Sequence, residues 1–169
     1  MGVTGAGKTT VGRLLAAELE WEFADADNFH PASNMEKMAR GVPLTDADRA
    51  PWLAALRATI LGWQAEGKNI VLACSALKRE YRKELGVGPQ VRLVYLKGSR
   101  ERIGSRLRER LGHFATEAIL DDQFATLEEP KDAITVDVDA APDEIVRAIQ
   151  AQLDGSRKDP RSERPEEPT

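Results

Sequence analysis

The sequence predicts an α/β fold, in which a parallel sheet carries helices on both faces. Short apolar runs of strand length alternate with longer segments whose apolar residues recur at helical spacing. The run NIVLAC at 69–74 is apolar almost throughout, which is typical of a strand covered on both faces. A glycine-rich segment opens the first predicted helix, and its spacing specifies the fold further.

That segment, MGVTGAGKTT, reads G-x-x-x-x-G-K-T from Gly2, the pattern of a phosphate-binding P-loop. Glycines let backbone N–H groups approach a polyphosphate, the lysine reaches the β- and γ-phosphates, and the threonine hydroxyl ligates Mg²⁺. An accidental match in a glycine-rich turn is the alternative. The motif predicts a three-layer P-loop fold like that of nucleoside monophosphate kinases, with nucleotide contacts from Gly2, Thr4, Gly5, Ala6, Gly7, Lys8, Thr9 and Thr10.

Apolar residues at helical spacing extend the helix after the loop to about Leu19. The strand that precedes the loop in P-loop folds has no counterpart, because the sequence starts at Met1. That strand lies inside the sheet, and without it the neighbouring strands leave backbone groups unpaired. We therefore expect a chain that is trimmed or mis-started at its N-terminus. The alternative is a complete sequence whose sheet tolerates the gap.

Strands and helices alternate through the middle of the chain. The predicted strands are 21–24 and 69–74, and the predicted helices are 33–40, 52–66 and 78–85. Ser33 and Glu36 form a capping-box pattern, and Gly41 is placed to end that helix. The segment 42–51 is predicted as a loop or first turn before the long amphipathic helix.

The second half continues the alternation. It predicts strands at 91–96 and 134–138, and helices at 99–111, 116–127 and from Pro142 onward. From residue 154 the chain has no aromatic or aliphatic side chain, which predicts a disordered tail at 154–169. The folded domain is therefore predicted at 1–153, with a lid around 106–116.

Composition narrows the classes of partner. The net charge of −4 gives no general basic surface and argues against nucleic acid as the main partner. No apolar run is long enough to span a membrane, and the start lacks a signal peptide's pattern. The single cysteine, Cys74, fits a reducing compartment and is most simply a small buried hydrophobe. We therefore predict a cytoplasmic protein.

Two carboxylates follow the first predicted strand. Asp25 and Asp27 stand at alternate positions, and on an extended segment both would point the same way. Phosphoryl transfer to an alcohol needs a metal at the phosphates and a carboxylate that accepts the hydroxyl proton. A solvated acidic turn is the alternative.

Basic side chains past the ends of strands and loops are the second candidate group. Arg49, Lys78 and Arg82 are placed to hold a substrate carboxylate, although each alone is a common surface charge. Arg106 and Arg110 share one helix face and could lie over a triphosphate; a solvated basic helix is equally compatible with the spacing. His30 lies beside the predicted acceptor pocket, and His113 lies in the predicted lid.

The sequence resembles the gluconate kinases, P-loop enzymes of the shikimate-kinase-like type. The resemblance covers Gly2 to about Ile149 and is carried by the segments GVTGAGKTTVG, DADNFHPASNMEKMARGVPLTDADRAPWL, CSALKREYRKEL, VYLKG, RLRERLGHF and QFATLEEP. The second and third of these segments are far more specific than the P-loop.

The resemblance implies ATP-dependent phosphorylation of D-gluconate to 6-phosphogluconate by a cytoplasmic enzyme, often a homodimer. By position it implies that Asp25 and Thr9 hold Mg²⁺ and that Asp27 is the base, with Lys8 and Arg110 also catalytic. Gluconate contacts are implied for Asp27, His30, Arg49 and Lys78, and lid contacts to ATP for Arg106 and Arg110. The alternatives are a related kinase for shikimate or another polyol acid, and a truncated or inactive nucleotide-binding paralogue.

Overall fold

The computed structural model describes residues 1–86, 88, 90–111 and 115–157. In chain order its elements are α1 (Lys8–Leu19), β1 (Glu22–Asp25), a 3₁₀ turn (Ala26–Phe29), α2 (Ala32–Ala39), α3 (Asp46–Ala65), β2 (Ile70–Ala73), α4 (Arg79–Glu84), β3 (Val94–Lys97), α5 (Arg100–Leu111), α6 (Ala115–Thr126), β4 (Ile134–Asp137) and α7 (Pro142–Arg157). The alternation confirms the predicted α/β class, and each of the four predicted strands is present within two or three residues of its expected position.

The strands form two parallel pairs. β1 pairs with β2, with Asp25 opposite Ala73, and β3 pairs with β4, with Lys97 opposite Asp137. The carboxyl ends of parallel strands lie at one edge of a sheet, where ligands of such folds bind. The turns and loops that follow the four strands therefore carry the candidate site.

Met1 and Gly2 lie between the two pairs. The Met1 amino group donates to the Val94 carbonyl, and the Leu96 N–H donates to the Met1 carbonyl at 3.0 Å, which is the pattern of a parallel bridge to β3. On the other side the Gly2 N–H donates to the Ser75 carbonyl at 3.2 Å, just past β2. Two residues thus join the halves at the position where the sequence predicts the strand before the P-loop.

A groove of about 300 Å³ continues from Met1 between β2 and β3. Its walls are mainly apolar and include Leu15, Trp63, Val71, Leu72, Val94 and Leu96. The groove follows the line that a strand ahead of Met1 would take.

Two apolar clusters flank this line. The larger one joins α1, α5, α6 and α7 to β3 and β4 through buried side chains that include Leu15, Ile103, Leu120 and Ile149. The smaller one joins α3 and α4 to the 3₁₀ turn through Trp52, Leu56 and Tyr81. Val3 and Ala6 belong to the first cluster and Met1 packs against the second, so the first residues of the chain connect both.

The helix starts differ from the prediction at two places. α2 begins at Ala32 after Pro31 without a side-chain cap, so the predicted box of Ser33 and Glu36 is wrong. Proline at the N-terminus of a helix fixes a suitable φ and has no N–H that needs a partner. The capping box forms instead at Thr45 and Asp48, inside the segment predicted as a loop or first turn, and begins α3 at Asp46.

The last helix extends beyond the predicted end of the domain. α7 continues from Pro142 to Arg157, into the segment predicted as a tail, and residues 158–169 lie outside the described part. No described helix is long and apolar enough to cross a membrane.

Candidate active site

The glycine-rich loop has the backbone conformation that its composition predicts. Gly2, Gly5 and Gly7 have φ values of +144°, +76° and +91°, which L side chains rarely adopt. A Cβ on Gly5 would also lie 2.6 Å from Cγ of Leu107, so this turn packs against α5 only without a side chain. α1 starts directly after Gly7, and the first N–H groups of that helix are directed at the space where an anion would bind.

Two contacts hold the loop. Lys8 Nζ donates to the Val3 carbonyl at 2.9 Å, and the Thr4 N–H donates to Gln123 Oε1 at 2.6 Å. Burial lowers the pKa of Lys8, while the nearby charges of Asp27 and Asp25 oppose that shift. The ammonium group thus contacts the loop and lies near enough to the two carboxylates for their charges to act on it. Gln123 opens the QFATLEEP segment, but it is 119 positions from Thr4, so no local pattern linked it to the loop.

Asp25 and Asp27 are adjacent, but not in the predicted way. Asp25 ends β1, and Asp27 lies in the 3₁₀ turn, where its N–H donates to Asp25 Oδ1 at 3.1 Å. The expectation of two carboxylates on one extended segment is therefore wrong, because Asp25 caps the turn that follows. Thr9 Oγ1 donates to Asp25 Oδ2 at 3.0 Å, so the P-loop hydroxyl and this carboxylate lie together. This pair of oxygen groups has the ligand chemistry that Mg²⁺ prefers.

A second cavity, of about 240 Å³, borders the other side of the loop. Its lining includes Gly5, Thr10, Arg106, Ala140 and Pro142. Arg106 donates from Nη2 to the Val138 carbonyl at 2.6 Å, so its guanidinium group is held at the cavity wall. The side chain of Arg110, and all of His113, lie outside the described part of the chain.

His30 is fixed by aromatic stacking. Its ring lies 4.5 Å from the Trp52 ring with an interplanar angle of 12°, and Trp52 Nε1 donates to the Ala26 carbonyl at 2.8 Å. Asn34, which is buried, lies 3.3 Å from Nδ1 of His30. Partial burial lowers the pKa of His30, with an opposing effect from Asp27 and a reinforcing one from Arg49. The ring is therefore neutral near pH 7 and can exchange hydrogen bonds with hydroxyl groups.

Arg49 and Lys78 meet at the phenol of Tyr81. Arg49 lies over the Tyr81 ring and donates to its hydroxyl at 3.4 Å, and Lys78 Nζ lies 5.3 Å from the centre of the same ring. Both cations also contact the carboxylate of Asp46. Two basic residues that are 29 positions apart in sequence therefore form one cluster, as the hypothesis of a shared anion site requires.

Comparison with known proteins places the chain in a family. The model of the shikimate kinase family matches residues 4–154. A probable gluconokinase of Xenopus tropicalis is 43% identical over 173 residues, 91% of each chain, and a gluconokinase of Gluconobacter oxydans (strain 621H) is 44% identical over 160 residues, 90% of each. The chain belongs to the gluconokinase family. A solved gluconokinase from Sinorhizobium meliloti 1021 has a TM-score of 0.83 and 40% identity, over 92% of this chain and 90% of that one.

Membership of the gluconokinase family confirms the predicted kinase class and P-loop fold. The structure brings Lys8, Thr9, Asp25 and Asp27 to the phosphate loop, and places Arg106 at the neighbouring cavity. His30 lies near enough to Asp27 and Arg49 for both charges to act on its pKa.

Arg82 differs from Arg49 and Lys78, the other two basic residues that the sequence placed to hold a substrate carboxylate. Its side chain is buried, and it donates to three backbone carbonyls: Ala76 at 2.9 Å, Leu77 at 2.8 Å and Glu128 at 3.0 Å. These bonds fix the loop that leads into Lys78 against the segment after α6. Arg82 thus holds the loop that carries Lys78, whereas the sequence indicated a contact to substrate.

Replacing Arg82 by lysine should destabilise the fold by about 2 kcal/mol, because a single ammonium group leaves buried carbonyls without a donor. That loss corresponds to a fall in Tm of roughly 4–8 °C, measured by calorimetry. Arg57→Lys is the matched control, since Arg57 makes one exposed bond to the Glu84 carbonyl. Equal effects of the two substitutions would contradict the anchoring role.

Proposed function

We propose that this chain transfers the γ-phosphoryl group of ATP to the terminal hydroxyl of D-gluconate, giving 6-phospho-D-gluconate and ADP. The relatives named gluconokinase support the reaction. The observation that carries the acceptor assignment is a row of groups beginning at the phosphate loop. Asp27 opposes the lowering of the pKa of Lys8 and of His30, and Arg49 reinforces it at His30. Arg49 also donates to the Tyr81 hydroxyl and shares the Asp46 carboxylate with Lys78.

This row fits the acceptor chemically. Gluconate has a carboxylate at one end, a primary hydroxyl at the other and hydroxyls between. The cations Arg49 and Lys78 bind the carboxylate, His30 contacts the intervening hydroxyls, and Asp27 receives the reacting hydroxyl next to the loop. The carboxylate and hydroxyl groups of gluconate have counterparts in shikimate or glucose that differ in charge or spacing. A site rejects analogues that leave its own buried polar groups unpaired.

The transfer needs few protein groups. Asp27 orients the acceptor hydroxyl and accepts its proton as the bond from that oxygen to the γ-phosphorus forms. The bond to the β-bridging oxygen breaks, and the electron pair leaves with ADP. Lys8 and the loop N–H groups stabilise the charge that is spread over the transferring oxygens. Arg106, at the second cavity, and Arg110 are proposed as lid contacts to ATP.

Thr9 and Asp25 would hold the metal ion. The Thr9 hydroxyl would ligate it directly and Asp25 would act through water, and the bound Mg²⁺ would supply charge neutralisation at the phosphates. We further propose that residues 1–153 form the catalytic domain, that the enzyme is a cytoplasmic homodimer, and that neither nucleic acid nor membrane is a partner. Light scattering coupled to size exclusion would test the homodimer.

Asp27→Asn is expected to lower kcat about 10³-fold, because an amide cannot accept the hydroxyl proton. The dissociation constant of ATP, measured by calorimetry, should change less than about twofold, since Asp27 is not proposed to touch the metal. Asn28→Asp is the neighbouring control, as Asn28 is exposed on the same turn. A collapse of ATP affinity in the Asp27 variant would instead move Asp27 to the metal site.

The proposed reaction is tested by ADP release from Mg²⁺-ATP with gluconate, beside glucose, glucuronate and shikimate. Release with gluconate alone is expected, and ³¹P spectroscopy should show a phosphomonoester on the primary carbon. Release with shikimate but not gluconate would overturn the acceptor assignment. No release with any acceptor, from a chain that still binds ATP, would favour an inactive nucleotide-binding paralogue.

A further inference from the structure

Asp46 is a charged group of the acceptor cluster to which the proposed function gives no role. It is the first residue of α3, directly after the Thr45 cap, and its side chain is 65% exposed. The sequence indicated only a segment between two helices here. In the structure its carboxylate contacts Lys78 and Tyr81 at the start of α4, as well as Arg49 of its own helix.

The partners of Asp46 are the groups proposed for the acceptor carboxylate. Lys78 Nζ donates to Oδ1 and Oδ2 at 2.8 and 2.7 Å, and the Tyr81 hydroxyl donates to Oδ1. The Arg49 guanidinium group lies 3.6 Å from Oδ1. The protein therefore already places a carboxylate of its own on these three donors.

The exposed fraction of each side chain indicates which member of the cluster a substrate can displace. The side chains of Arg49 and Lys78 are 20% and 28% exposed, less than half the value for Asp46. The donors thus form the floor of the cluster, and Asp46 covers them from the solvent side. An exposed ion pair of this kind is weak, because solvent screens it and rotation of the side chain costs little.

The net charge of the cluster also fits an exchange of the Asp46 carboxylate for the carboxylate of a substrate. Arg49 and Lys78 carry two positive charges, and Asp46 removes one of them. The next acid, Asp48, accepts a hydrogen bond from Lys37 at 2.6 Å and caps α3 with Thr45, so it has partners elsewhere. In the described part of the chain, Asp46 is the acid that is paired with both Arg49 and Lys78.

We propose that Asp46 is an internal substitute for the carboxylate of the acceptor, which binds by displacing Asp46 from Lys78 and Tyr81. The inference rests on the proposed function, because gluconate is the acid that it places there. Asp46 keeps the two cations oriented while the site is free of substrate, and it lowers the affinity for every carboxylate that binds them. It is therefore a residue that sets affinity and specificity for monoanionic acceptors.

The test compares Asp46→Asn with the wild-type chain. The asparagine keeps the shape but loses the competing charge, so both the KM and the dissociation constant of gluconate should fall about three- to fivefold. Asp46→Glu retains a competing carboxylate and should stay within about twofold of wild type. Glu66→Gln, which removes the exposed partner of Lys68 at the far end of the same helix, should leave gluconate binding unchanged.

A second probe separates this inference from the proposed function. Acetate, titrated against the ¹H–¹⁵N spectrum, reports carboxylate binding whatever the acceptor is, and it should bind more tightly to Asp46→Asn. Tighter acetate binding in a chain that does not phosphorylate gluconate would retain the exchange and reject the acceptor. Gluconate turnover with unchanged or weaker gluconate binding in a folded Asp46→Asn variant would retain the function and overturn the exchange.

Discussion

Replacing Lys8 by alanine is expected to lower kcat for gluconate phosphorylation by about three orders of magnitude, the usual loss when one preorganised charge is removed from a transition state. Lys8 is the cation of the loop, and its ammonium group donates to the Val3 carbonyl, where the charges of Asp25 and Asp27 also act on it. A phosphoryl group in transfer spreads charge over three oxygens, and the screening of Lys8 by bulk water is reduced because the group is partly buried.

The same substitution should leave the fold intact. Burial lowers the pKa of Lys8, which shows that its charged form is disfavoured by its surroundings, so removing that charge need not destabilise the chain. Tm should fall by no more than a few degrees, and Lys68→Ala, at an exposed surface pair, serves as the control for activity. Turnover close to wild type in a folded Lys8→Ala variant would refute the assignment of the phosphate site.

Local patterns predicted the parts of the molecule that depend on local chemistry. The P-loop was predictable because its glycines, lysine and threonine are contiguous and each meets a separate requirement of a bound polyphosphate. The strand at 69–74 was predictable because a strand covered on both faces must be apolar on both. The start of α3 was predicted too late because a proline such as Pro51 commonly marks the first turn of a helix, whereas α3 begins at Asp46 and includes Pro51.

Contacts between distant segments could not be predicted in this way. Asp46 meets Lys78 across 32 positions, and Gln123 meets Thr4 across 119, so no periodicity connects them. Arg82 shows that a local pattern can also suggest a contact that the fold does not make. Its charge suggested a ligand contact, but it lies in the interior and donates to three backbone carbonyls. Sequence identifies which residue types can serve a site, and the fold decides which of them reach it.

An apolar extension ahead of Met1 is expected to stabilise this chain strongly. The groove between β2 and β3 has apolar walls, and the bonds of Met1 to Val94 and Leu96 fix the register for a parallel strand that enters it. Burying one apolar side chain contributes about 1.5–3 kcal/mol, and each ladder hydrogen bond adds about 1 kcal/mol. Ordering one residue costs about 1–2 kcal/mol. For a four-residue extension Val-Ile-Val-Val, the free energy of unfolding therefore rises by a few kcal/mol. This corresponds to an increase in Tm of roughly 10 °C.

A polar extension of equal length, Ser-Asn-Gly-Ser, is the matched control. The pH dependence of stability separates the effect of removing the buried amino group from the effect of filling the groove. Burial, reinforced by the charge of Lys8, lowers the pKa of the Met1 amino group from 8.0 to about 5. Between pH 5 and pH 8 the unfolded chain therefore binds more protons than the folded one, so stability rises with pH across this range. Either extension replaces the amine by an amide and removes this dependence, but only the apolar one fills the groove. A rise in Tm of the same size with both extensions would show that the buried amino group, and not the unfilled groove, limits stability. No rise with either extension would mean that the groove does not accept a strand.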